Sequence, residues 1–76
     1  MQAFDIQFIE KADGPKLVEG LEYMAVIFDF ELSELKKKAG FADSTFNRWA
    51  SAMRKPRRSS RQKIKSFVNQ FYDQDQ

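Results

Sequence analysis

Between Glu31 and Pro56 the chain sets Ser44, Thr45, Asn47, Arg48 and Ser51 at spacings that leave them together on the outside of a helix. Their hydroxyl, amide and guanidinium groups give and take hydrogen bonds. Lys36, Lys37 and Lys38 precede them, and Arg54, Lys55, Arg57 and Arg58 follow. Cations on both sides of a hydrogen-bonding face suit the binding of a polyanion. Catalysis has less to work with. The chain has no Cys and no His, which removes thiol and imidazole chemistry, disulfides and the usual zinc ligands. It has no glycine-rich phosphate loop and no His-Glu metal motif. The carboxylate pairs Glu19 with Glu22 and Glu31 with Glu34 fall at i, i+3 on polar helix surfaces and read as surface acids. The expectation is a binding protein, not an enzyme, with no cofactor and no metal.

The net charge of +2 hides a segregation. Residues 1–34 carry eight acids and two bases, a net −6, whereas residues 35–72 carry eleven bases and one acid, Asp43, a net +10. Such a division makes a local positive field on a nearly neutral molecule.

The elements that must hold these residues are mostly helical. Asp13-Gly14-Pro15 reads as a turn and a helix start, because proline suits the first helical position. A helix is predicted over about 15–28 with Leu17, Leu21, Met24 or Ala25, and Phe28 inward. Gly20 is a small local penalty there. The end of that helix is apolar nearly all round, which predicts burial on two sides. A helix over about 32–39 follows, with Leu32, Leu35 and Ala39 as its stripe and Gly40 as its left-handed stop. The next helix starts at Ala42 to Ser44, with Asp43 or Ser44 as cap, and runs to about Met53. Phe46, Trp49, Ala50 and Met53 face inward, so Trp49 reads as core and not as a base-stacking residue. After the loop RKPRR, Ser59 and Gln62 have capping-box spacing for a last helix over about 60–72. That helix turns Ile64, Phe67, Val68 and Phe71 inward and shows Lys63, Lys65 and Asn69 outward.

The N-terminus reads differently. Phe4, Ile6 and Phe8 alternate with Asp5 and Gln7, which predicts a short strand over 2–10. It would pair with its own copy, lie over the helices as an extended arm, or be disordered in the free protein. The fold expected is therefore mainly α: a small four- or five-helix domain with an N-terminal strand or arm over 1–14, a helix-turn-helix domain over 15–72 and a flexible tail over 73–76. The longest apolar run, MAVIF, has five residues, far short of the roughly 18 of a membrane span. With no charged-then-apolar leader, a cytoplasmic location is expected.

Residues 30–68 resemble the Cro and lambda-repressor-like (XRE) family of helix-turn-helix proteins. The likeness rests on Leu35, Ala39-Gly40-Phe41, Ser44-Thr45-Phe46-Asn47-Arg48-Trp49, Pro56 seven residues after the tryptophan, and Ile64 eight after the proline. The chain departs from the family pattern at three positions and in its N-terminal arm, which the common pattern lacks. Lys36 stands where alanine is usual and must snorkel past the next helix, or else the two helices cross less closely. Ala42 replaces a Ser or Thr cap, and Arg61 stands where leucine is frequent. The resemblance implies a phage- or prophage-type repressor that binds duplex DNA as a homodimer; the N-terminal strand and the C-terminal helix are this chain's own candidate dimer contacts. It implies a helix at about 43–53 in the major groove, with Asp43, Ser44, Thr45, Asn47 and Arg48 at base edges. It makes Lys37, Lys38, Arg54, Lys55, Arg57 and Arg58 the phosphate contacts.

Two other functions compete. The acidic N-terminal half, with the Phe4-Ile6-Phe8 arm, suits a protein-interaction module such as an antitoxin or anti-regulator that binds a basic partner. An RNA-binding role has less support, because no sheet with stacking aromatics is readable.

Overall fold

The computed structural model describes residues 6–74. Five helices follow in order: α1 (Ile6–Lys11), α2 (Gly14–Phe28), α3 (Leu32–Ala39), α4 (Asp43–Ala50) and α5 (Arg58–Gln74). Among the described residues there is no strand.

The N-terminal segment corrects the sequence expectation. The strand predicted over 2–10 is replaced from Ile6 onward by helix α1, and Phe4 lies outside the described residues. The cause is visible in the packing. Ile9 is fully buried, and Phe8 and Ala12 lie against the same core. Positions i, i+1 and i+4 share one side of a helix, whereas a strand would send Ile9 away from the other two. Arg61 completes the arrangement from α5. Its Nη1 donates to the carbonyls of Ile9 (3.1 Å) and Ala12 (2.7 Å), and its Nε donates to that of Pro56 (3.2 Å). Carbonyls at the end of a short helix have no helical partner, and a guanidinium satisfies them well. These three bonds give Arg61 a structural role at the joint of α1 and α5. Lys65 adds an ion pair to Glu10 on the outside of the same joint.

Helix α2 begins as its sequence predicts. Asp13 Oδ1 accepts from the Lys16 amide at 3.0 Å, and Pro15 occupies the first turn. Leu17, Val18, Leu21 and Met24 are buried on the side that packs against α4. Gly20 has a packing reason: a Cβ there would lie 2.2 Å from the Phe8 ring, so its absence lets α1 approach α2. The far end of α2 is not covered on two sides. Val26 is 80% exposed, and Tyr23 and Ile27 are each 53% exposed.

The remaining core joins α3 and α5 to this pair. Leu35 is fully buried, with Leu32 and Ala39 partly buried beside it. From α5, Ile64, Phe67 and Val68 are buried and Phe71 is half-buried. Phe30 sits 5.2 Å from Phe67 edge-on and 5.0 Å from Phe71 in a stacked arrangement. Helix α5 begins two residues before its predicted start, so Ser59 lies inside the first turn and is not its cap. The Arg61 amide already bonds the Arg57 carbonyl at 3.0 Å. The helix also runs through Asp73 and Gln74, which were expected to belong to the tail; residues 75–76 lie outside the described residues. Among the described residues, no helix is long and apolar enough to cross a membrane.

Candidate nucleic-acid interface

Helix α4 is fixed by its apolar side. Phe46 and Trp49 are both 3% exposed, with ring centroids 5.1 Å apart. Phe41 closes on them at 5.9 Å and 5.3 Å respectively. Gly40 makes that return possible. At φ 79° it is left-handed, and the Phe41 amide bonds back to the Lys36 carbonyl at 2.8 Å. A Cβ on Gly40 would meet nothing within 4 Å, so backbone conformation and not space requires the glycine. With Phe46 and Trp49 inward, Asp43, Ser44, Asn47 and Arg48 are exposed and Thr45 is half-exposed.

The N-terminus of α4 differs in detail from the expectation. Ala42 holds the cap position in extended conformation and offers no side-chain cap bond, so neither Asp43 nor Ser44 serves as cap. Asp43 instead pairs with Lys36, whose Nζ lies 3.3 Å from Oδ1 and 4.9 Å from the centre of the Phe46 ring. Lys36 therefore sets its ammonium over the Phe46 ring and beside Asp43 at the start of α4.

The C-terminus of α4 is earlier than predicted. The helix ends at Ala50, and Met53 is 75% exposed, so neither Ala50 nor Met53 belongs to the inward stripe. Ser51 Oγ donates to the Asn47 carbonyl at 2.8 Å, and Ala52 takes a left-handed φ of 63°. The amides of Met53 and Arg54 then both point back to the Arg48 carbonyl, at 2.9 and 3.3 Å. This reversal folds the basic loop against α4. Thr45, Arg48 and Trp49 come to share one cleft of about 100 Å³ with Arg54, Lys55, Arg57 and Ser60.

The other cations divide between two places. Lys37 and Lys38 line a larger cleft of about 540 Å³ between the end of α3 and the middle of α5, where Lys63, Ser66 and Gln70 join them. That cleft borders Gly40, next to the start of α4, whereas the first cleft lies toward its C-terminal half. Arg58 lines a third cleft with Glu10, Arg61 and Gln62, facing α1. Lys63 and Ser60 were not among the candidates read from sequence. Lys63 is outward on α5, and only the packing of α5 on α3 brings it to the lysines. Among the described residues, no group of three or more Asp and Glu side chains is placed to hold a metal ion.

Comparison of the chain with family models, with curated proteins and with solved structures gave no match in any of the three.

Proposed function

We propose that this chain is a sequence-specific duplex-DNA-binding regulator of repressor type, acting as a homodimer, with α4 entering the major groove. The observation that carries the proposal is the cleft in which the turn at Ala52 gathers Arg54, Lys55 and Arg57 beside Thr45 and Arg48. A short helix with one buried aromatic side and one polar side fits the groove, whose width of about 12 Å admits a helix. Cations toward both ends of α4 match the phosphates on either wall of that groove. Arg48 is suited to guanine and Asn47 to adenine, each by a two-pronged hydrogen bond. Ser44 and Thr45 are the shorter-range readers, and Asp43 is suited to the amino group of cytosine. Lys37, Lys38, Arg54, Lys55 and Arg57 hold the backbone, with Lys63 added to their number. Arg58, turned toward Glu10, contributes least.

The test is binding to a random-sequence duplex as a function of salt. Affinity falls steeply as salt rises, because each neutralised phosphate releases counterions, with a slope near −0.9 per contact. Replacing Arg54, Lys55 and Arg57 together by Ala flattens the slope by about three such contacts. A slope unchanged by the triple replacement overturns the proposal.

A further inference from the structure

Among the described residues four large apolar side chains are exposed, and three of them, Tyr23, Val26 and Ile27, share one face of α2. Scattered apolar residues on a surface need no explanation, whereas a contiguous group marks a contact surface. Their spacing of three and four places them on one stripe, and Glu19 and Glu22 continue it toward the N-terminus. The stripe lies opposite the side that Leu17, Leu21 and Met24 bury, and that side faces α4. It therefore looks away from the basic cleft. At its N-terminal end it opens into a groove of about 310 Å³ between α1 and α2, where Phe8, Gly20 and Tyr23 are among the lining residues. Gly20, with no side chain, leaves the Phe8 ring as part of the groove wall.

We infer that this face of α2 docks an amphipathic basic helix of another protein, its apolar residues on Tyr23, Val26 and Ile27 and its Lys or Arg residues beside Glu19 and Glu22. The charge pattern selects this occupant. The face lies within the segment of net −6, and Asp29 follows Ile27 at the helix end. A second copy of the chain fits poorly. Two-fold packing centred on Tyr23 sets Glu22 of each copy within a turn of the other's Glu22, with only Lys16 on this face to offset them. A helix laid in an apolar groove, with opposite charges at the rim, meets neither obstacle. The inference is independent of the DNA-binding proposal and stands if that proposal fails.

The experiment uses the full chain and two synthetic helical peptides with the same leucine stripe, one flanked by lysines and one by glutamates. Amide shifts of the labelled protein report where each binds. The lysine peptide is expected to bind with shifts centred on residues 16–29 and to weaken as salt rises. Glu19→Lys with Glu22→Lys should weaken it about tenfold and let the glutamate peptide bind instead. Val26→Ser with Ile27→Ser, both at exposed positions, should weaken the lysine peptide and leave the protein's amide spectrum folded. Shifts that map to another face, or affinity unchanged by either double replacement, overturn the inference. So does burial of this face in a homodimer of the free protein.

Discussion

The Lys36 ammonium lies 3.3 Å from the Asp43 carboxylate and joins the last turn of α3 to the first turn of α4. The pair spans the glycine turn and settles how two residues with conflicting demands coexist. Lys36 cannot bury its charge, and Asp43 would otherwise set a bare negative charge within the proposed DNA interface. Asp43 is 87% exposed on its side chain, so the pair adds little to stability, on the order of 0.2–1 kcal/mol. Its greater effect falls on the electrostatics of α4. Asp43→Asn should raise affinity for duplexes without the preferred sequence and relax the preference for cytosine at one position of the site, measured by fluorescence anisotropy at fixed salt. Lys36→Met, which removes the charge beside Phe46 and Asp43, should lower that affinity.

Arg61 provides a prediction for the N-terminal joint. Arg61→Leu removes all three bonds to the carbonyls of Ile9, Ala12 and Pro56. The cost should be about 1–3 kcal/mol in urea denaturation, because carbonyls lose charged donors. Hydrogen exchange should quicken first in α1, while α4 keeps its protection.

Two left-handed residues should respond in opposite ways. Gly40→Ala should destabilise the fold by about 1–2 kcal/mol through backbone strain alone, since space for the methyl is open. Ala52→Gly should stabilise it by up to about 1 kcal/mol, since Ala52 already bears a φ of 63°. Thermal unfolding of the two variants checks both signs.

The ion pair of Glu10 with Lys65 predicts a pH dependence. The Lys65 ammonium, by its hydrogen bond and its charge, holds the Glu10 carboxyl below its ordinary value. A depressed folded-state value gives stability that is present above the unfolded value and lost as pH falls through the folded one. Glu10→Gln should therefore be slightly less stable than wild type at neutral pH. The difference should vanish in acid once Glu10 is protonated.

Much of this arrangement was legible in the residues, and what was missed has physical causes. The helices around Leu17, Leu35, Phe46 and Ile64 follow from apolar spacing, and the stop at Gly40 follows from glycine's freedom at positive φ. The first helix was missed because Phe4, Ile6 and Phe8 alternate, while the residue that decides the matter, Ile9, joins a core to which α5, some fifty residues further on, contributes. The early end of α4 was missed because Met53 has the right spacing for the stripe, whereas an alanine at positive φ leaves no mark in a sequence. The basic cluster was legible as a charge imbalance. Its division into a cleft beside Arg48, a cleft at Lys37 and Lys63, and an Arg58 turned to Glu10 depends on helix packing and could not be read in advance.

Within the proposed interface, Arg48 and Lys55 should separate in role. Arg48→Ala should relax the preference for one base, with a loss of discrimination of about 1–3 kcal/mol at one position of the site. Lys55→Ala should weaken all duplexes by a similar factor and leave the preferred sequence unchanged. Equal losses from both variants on every sequence would contradict this division.

The most direct measurement is selection of bound sequences from a pool of random duplexes. The proposed function predicts an enriched motif of two related half-sites, about 10 base pairs apart from centre to centre, as two copies on one face of the duplex require. A pool that stays random through successive rounds would contradict it.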